Sequence, residues 1–328
     1  MSVAFLILNH RRPEQLGRLL STLRSQCPDS PIAVHHDIHA TEAPTALIES
    51  LPNVHLLTSG KRVVWGGSGI AEAYCWSLAW MFEHLDFDWV MLISAQDYPI
   101  KPLSGLEGDL GRDGADAVFQ AVPISQIPTT VERINMRHRY HYQYRPTVAS
   151  RPRFLSPGVQ DFLRAMDGAV VALNLAQPLF KIYRLPDRIP YRFGWRARRT
   201  PYSADWPCWK GSSWFALSRR ALGYVLRYMA ERPEYVEYCR RTMHSDESMV
   251  ATIVCNSADL TVANRDVTYT RWENERAGHP DLFTIDDLAD LLSAPQYFAR
   301  KFDIAKDSRI LDELDKFISH PAAARAEG

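Results

Sequence analysis

The chain has 328 residues, 46% of them hydrophobic and 23% charged, an ordinary globular composition that excludes disorder, collagen and coiled-coil rods. Lys+Arg and Asp+Glu both number 38, and a neutral chain is a poor general binder of DNA or RNA, whose affinity comes mainly from neutralising phosphates. The five cysteines (Cys27, Cys75, Cys208, Cys239 and Cys255) are scattered without a C-x-x-C pair, so neither a disulfide framework nor a zinc site is suggested and a reducing compartment fits.

The first 105 residues alternate strand and helix. Val3–Leu8 is a short apolar run, too short and without the basic flank for a signal peptide. Pro13 suits a first helical turn, and Leu16, Leu19, Leu20 and Leu23 form one apolar stripe. Ile32–His35 predicts a second strand ending at Asp37, Val54–Leu57 a third and Arg62–Trp65 a fourth. Gly66-Gly67-Ser68-Gly69 follows, then Ile70, Tyr74, Leu78, Met81 and Leu85 at helical spacing. Trp89–Ile93 is continuously apolar, as a strand buried on both faces should be, and it ends in Ser94-Ala95-Gln96-Asp97. This rhythm predicts an α/β fold, a mostly parallel sheet flanked by helices.

Residues 125–210 read differently, rich in Arg, Tyr, Trp and Pro, with one helical stretch, Phe162–Leu175. Lys181–Arg199 holds seven basic residues and one acidic one, Asp187. Regularity returns with a strand over Ser213–Leu217 and a helical stripe of Leu222, Val225, Leu226 and Met229. Ser245 can cap a helix carrying Met249, Val250, Ile253 and Val254. Val267–Thr270 is strand-like, Thr284-x-x-Asp287 resembles a capping box, and a last helix covers about 308–319. The expected organisation is one domain over 1–320, with a nucleotide-binding half (1–105) and an acceptor-binding and catalytic half (106–320). A flexible tail follows over 321–328. No stretch approaches the roughly 20 apolar residues of a spanning helix, so a cytoplasmic location is expected, with peripheral membrane contact left open.

In open α/β sheets, ligands bind beyond the carboxyl ends of the strands. That rule selects His10, Asp37, Trp65–Gly69 and Ser94–Asp97. Singly, Asp37 and Asp97 read as turn caps; together they favour a nucleotide or sugar ligand. The glycine run matches neither G-x-G-x-x-G nor G-x-x-x-x-G-K-[ST], so a tight turn into a helix is its better reading. The compact D-x-D, Asp86-Phe87-Asp88, precedes its strand at the wrong end of the sheet, so no metal site is expected. Glu247, in a first helical turn, would stay ionised and able to accept a proton, or simply favour the helix dipole. Arg300 and Lys301, bracketed by Phe298 and Phe302, read either as a surface pair or as cations aimed at phosphates. Trp214 and Trp272 could stack on sugars or serve as core.

Seven segments in order, Phe5–His10, Val34–Asp37, Val64–Gly67, Ser94–Lys101, Gly211–Phe215, Asp246–Ser248 and Phe298–Asp303, resemble the core 2/I-branching β-1,6-N-acetylglucosaminyltransferase and peptide O-xylosyltransferase family (glycosyltransferase family 14). The resemblance covers roughly residues 3–305, with no matched motif over about 125–205. It implies a GT-A-type fold and an inverting transfer of N-acetylglucosamine or xylose from a UDP-sugar, with no cofactor and no required metal. Glu247 would be the catalytic base, and Arg300 and Lys301 would bind the diphosphate. Asp97 would touch the donor sugar, Asp37 would lie at the nucleoside end, and His10 would sit among the donor-binding residues. Trp214 and Trp272 would face the acceptor, a glycan or glycolipid. Animal members carry a membrane anchor and many cysteines, so the resemblance is to a bacterial-type member without an anchor. The rival readings are a sugar nucleotidyltransferase, which should need a metal, and a non-catalytic carbohydrate-binding protein. The cations and aromatic residues of Arg133–Arg153 and Lys181–Arg199 read as a solvated face, as a nucleic-acid site that the neutral total charge opposes, or as a wall of an anionic acceptor site reached through Arg196 and Arg198.

Overall fold

The computed structural model describes residues 2–64, 66–145, 158, 167–183, 192–273 and 279–319. In chain order its strands are β1 Val3–Asn9, β2 Ile32–His36, β3 Val54–Leu57, β4 Trp89–Ser94, β5 Asp97–Pro99, β6 Ala117–Val118, β7 Ala121–Pro123, β8 Tyr142–Arg145, β9 Phe180–Tyr183, β10 Arg192–Arg196, β11 Trp209–Gly211, β12 Ala216–Ser218, β13 Val262–Ala263, β14 Thr268–Thr270 and β15 Phe298–Arg300. Seven of them form one sheet in the order β13-β6-β12-β4-β1-β2-β3. Within it β12 alone runs against its neighbours β4 and β6, and every other pairing is parallel.

The pleat explains why β1 and β4 are apolar throughout Val3–Leu8 and Trp89–Ile93. Side chains alternate between faces, so Val3, Phe5, Ile7, Trp89, Met91 and Ile93 enter one core and Ala4, Leu6, Val90 and Leu92 enter the other. The first core is covered by helix Pro13–Gln26, whose Leu16, Leu19, Leu20 and Leu23 are fully buried, and by Ile310, Leu311, Leu314 and Ile318 of helix Arg309–Ser319. The second is covered by helix Gly69–His84 through Tyr74, Leu78 and Met81, and by helix Arg219–Glu231 through Leu222 and Val225. Truncating one such leucine to alanine typically costs about 2–5 kcal/mol.

Helix Pro13–Gln26 begins at its proline as expected, and both reciprocal bonds of the Thr284–Asp287 capping box are present. Three expectations are corrected. Residues 62–64 are irregular rather than a strand (Trp65 lies outside the described residues). Asp37 Oδ2 accepts the Val63 N–H at 3.1 Å, and a Cβ on Gly69 would lie 2.6 Å from the Val64 nitrogen. The segment is therefore folded over the start of the next helix instead of extending along the sheet edge. Before β12, residues 213 and 214 are not strand; the Ser213 hydroxyl and the Trp214 N–H bond to Asp246 and Ser212 side chains instead. Ser245–Glu247 forms a separate 3-10 turn, and the helix proper starts at Met249. Of the stretch 162–175, residues 167–175 are helical; 162–166 and the tail 321–328 lie outside the described residues. Among the described residues no helix is long and apolar enough to cross a membrane.

Candidate active site at the carboxyl edge of the sheet

Because β1, β2 and β4 are parallel, their carboxyl ends share one edge, and the segment entering antiparallel β12 reaches the same edge. His10 is exposed just beyond β1, its carbonyl accepting the Thr41 hydroxyl at 3.0 Å. Asp37 is buried beyond β2. Its Oδ1 accepts the His39 N–H at 3.0 Å while Oδ2 holds Val63, so it caps a turn and fastens the following loop to the sheet. Beside that loop lies a cavity of about 280 Å³, lined by Ser59, Lys61, Arg62, Gly67 and Arg192 among others. Gly67 leaves room for the half-buried Arg192, whose Nη1 lies 2.8 Å from where a Cβ would be.

Beyond β4, Asp97 is fully buried. It accepts the Ser94 N–H at 2.9 Å and the Ser94 hydroxyl at 2.8 Å. A second small sheet, β14-β15-β5, sets Arg300 directly opposite Asp97 in the register of β15 on β5. The Arg300 Nε is 3.4 Å from Asp97 Oδ1, and its guanidinium lies 4.1 Å from the centre of the Trp214 ring. Burial raises the Asp97 pKa and lowers that of Arg300, and each opposes the other's shift. Lys301 follows, its N–H bonding the Asp281 carbonyl. Trp272 stands two residues beyond Thr270, the partner of Arg300 in β14, and is 49% exposed, an aromatic ring left in water at the rim.

Glu247 closes the 3-10 turn. His244, at φ 50°, precedes that turn and donates its N–H to the Gly66 carbonyl at 3.1 Å. Glu247 Oε2 accepts from Arg139 Nη1 at 2.7 Å and from the Tyr140 hydroxyl at 3.3 Å. Oε1 lies 3.6 Å from His244 Nδ1. Burial pushes His244 down to about 4, leaving a neutral ring, although Glu247 pulls the other way. Burial also disfavours the Arg139 charge, but Glu247 raises its pKa well above the ordinary value. Asp246, one residue before Glu247, is pushed up to about 7 by burial and then by Glu247. Its Oδ2 accepts the Ser213 hydroxyl at 2.7 Å, and Oδ1 is buried without a hydrogen-bond partner among the described residues.

These groups join into one rim. Ser213–Asp246 ties the Trp214–Arg300–Asp97 stack to Glu247, His244–Gly66 ties Glu247 to the glycine turn, and Val63–Asp37 ties that turn to β2. Sequence reasoning missed Arg139, Tyr140, His244 and Asp246 as partners of Glu247. It also missed Gln15, which is buried, donates to the Ala95 and Phe302 carbonyls at 2.9 and 3.0 Å, and accepts the Ile304 N–H. A polar residue beside the apolar stripe of its helix was the signal for Gln15. Arg139 carried none, because it lies among other arginines in the aromatic-rich middle. Asp88 sits before β4, at the opposite edge, and binds the Ser2 N–H. Among the described residues no three His, Cys, Asp or Glu side chains converge as metal ligands.

The family model of the Core-2/I-Branching enzyme matches residues 3–139 and 186–292. The beta-glucuronosyltransferase GlcAT14A of Arabidopsis thaliana is 22% identical over 283 residues, 85% of this chain and 54% of its own length. Xylosyltransferase 1 of Rattus norvegicus is 22% identical over 349 residues, 98% of this chain and 36% of its own. The chain thus spans about half the length, or less, of these relatives. Among solved structures, HddC from Yersinia pseudotuberculosis aligns over 38% of this chain and 60% of its own, with a TM-score of 0.26 and 16% identity, too slight to bear on the fold.

Proposed function

Because this chain belongs to the Core-2/I-Branching enzyme family, we propose that it is a GT-A-type glycosyltransferase that moves a sugar from a UDP-sugar to an acceptor hydroxyl by one inverting, metal-independent displacement. The observation that carries this reading is the setting of Glu247. Arg139 and Tyr140 hold Oε2, so the carboxylate is fixed, and Oε1 faces the neutral His244 ring. A base needs one oriented lone pair and no cation competing for it. Oε1 takes the acceptor hydroxyl proton as the oxygen attacks C1 of the donor. The C1–O bond to UDP breaks, and the electron pair leaves with the diphosphate.

The growing negative charge is met by Lys301, with the Arg300 guanidinium behind it. Fixed cations aimed at developing charge are usually the largest catalytic contribution. Arg300 is anchored by Asp97 and Trp214, which suits a group that must not swing. Asp97, fully buried, then acts on the donor sugar through Arg300 and Ser94 rather than by touching it. The cavity beside Asp37, Arg62 and Gly67 takes the nucleoside end, near His10, while Trp214 and the exposed Trp272 bound the acceptor. The acceptor is a glycan or glycolipid. The donor sugar stays within the range given by the resemblance and the relatives' names: N-acetylglucosamine, xylose or glucuronic acid.

The decisive experiment is a donor screen with UDP release as readout, run with and without EDTA. UDP should be released from one of the three donors, and release should survive chelation. Loss with EDTA and recovery with manganese would remove the metal-independent mechanism. Pyrophosphate release from a sugar phosphate and a nucleotide would make the protein a nucleotidyltransferase instead.

A further inference from the structure

We propose that the outer face of the β8-β10-β9 sheet docks on an anionic lipid bilayer. The proposal stands apart from the catalytic reading, because this face points away from Glu247. Strand alternation sets the two sides. Tyr142, Tyr144 and Tyr183 turn inward and pack on Met243, next to His244. Phe193 and Trp195 turn outward, and the register brings Ile182, Phe180 and Arg145 onto the same side. Phe193 is 39% and Trp195 61% exposed, and Leu179, just before β9, is 67% exposed. Large apolar side chains on a small solvent-facing sheet mark a contact surface when they cluster.

The charge around this face names the partner. Arg145, Arg198 and Arg199 are exposed on and beside it, and β8, β9 and β10 carry no Asp or Glu, in a chain whose total charge is zero. Arg198 and Arg199 follow β10 at the rim, just beyond the point where the Arg196 N–H bonds the Leu179 carbonyl at 2.9 Å, while the register puts Arg196 itself on the Tyr142 side. Neither they nor Arg145 forms an ion pair with the described residues, unlike Arg139 at the site. Cations ringing exposed Trp, Phe and Leu match a bilayer surface. The arginines meet the anionic headgroups, and the apolar side chains enter the headgroup–acyl boundary. A nucleic acid would use the arginines and could stack on Trp195, but it has no use for Leu179 and Ile182.

The test is flotation of the full chain with vesicles of phosphatidylcholine alone, or of phosphatidylcholine mixed with phosphatidylglycerol. Binding should require phosphatidylglycerol and weaken with salt. Each cation near an anionic surface strengthens binding about fivefold, so replacing Arg145, Arg198 and Arg199 together by Gln should weaken it about a hundredfold. Phe193→Ser with Trp195→Ser should cost at least about tenfold, since the buried apolar area is lost. Thermal melts of each variant confirm that the fold is intact. Three results would overturn the proposal. One is absence of flotation with phosphatidylglycerol. Another is flotation indifferent to Trp195 and Phe193. The last is tighter binding to a single-stranded RNA than to the vesicles.

Discussion

Two ion pairs stand at the carboxyl edge of the main sheet, and water reaches them very differently. In Asp97–Arg300 the carboxylate is fully buried, takes two bonds from Ser94, and faces an arginine roofed by Trp214. In Glu247–Arg139 both side chains keep 23% of their exposure, and among the described residues one carboxylate oxygen has no cationic partner. The first pair is shut away from water, and the second stays partly open to it. A buried ion pair holds geometry at the cost of desolvation, whereas proton transfer needs access.

Substitutions at the two pairs should therefore separate in kind. Glu247→Gln keeps shape and removes the base; turnover should fall about 10²–10⁴-fold, while calorimetric UDP-sugar affinity stays within a few-fold. Near-normal turnover in that variant would take Glu247 out of the mechanism. Asp97→Asn leaves Arg300 buried without its counter-charge and should cost about 3–5 kcal/mol of stability, read by denaturant unfolding. If it melts like the wild type and only loses donor affinity, Asp97 contacts the sugar directly and does not act as a strut.

Lys301→Ala should lower turnover about 10²–10³-fold, more than it lowers UDP affinity, without the stability loss of Asp97→Asn. Equal losses in turnover and affinity would mean that Lys301 binds ground and transition states alike. Arg300→Lys should fail on both counts, since an ammonium cannot reproduce the guanidinium plane against Trp214.

The smallest effect concerns Asp246, held near 7 by burial. Below about pH 4 both folded and unfolded chains are protonated there. As pH rises toward 7 only the unfolded chain ionises, so stability is lost over that window. His138, His141 and His244, all lowered to about 4 chiefly by burial, act oppositely and destabilise the fold as pH falls below about 6.5. Asp246→Asn should remove the acid's contribution alone. Unfolding free energies of wild type and variant should then converge or cross as pH rises from about 4 to 7; a constant offset would mean that Asp246 does not titrate in that range.

The amino-acid pattern alone determined whatever depends on neighbours along the chain. Val3–Leu8 and Trp89–Ile93 had to be central strands, because only burial on both faces suits an unbroken apolar run. Pro13 and the leucine stripe fixed the first helix, and Thr284 with Asp287 fixed a cap. The strand-end rule already pointed to His10, Asp37 and Asp97, and the ordered motifs to Glu247, Arg300 and Lys301. Tertiary structure decided what each of these touches. Arg300 meets Asp97 only because β15 pairs with β5 across 203 positions of chain, and Glu247 meets Arg139 across 108. No local periodicity encodes such a contact. The irregular 62–64 segment was equally illegible: its β-branched residues favour a strand, but one carboxylate, Asp37, and the close approach of Gly69 to Val64 outweigh that preference.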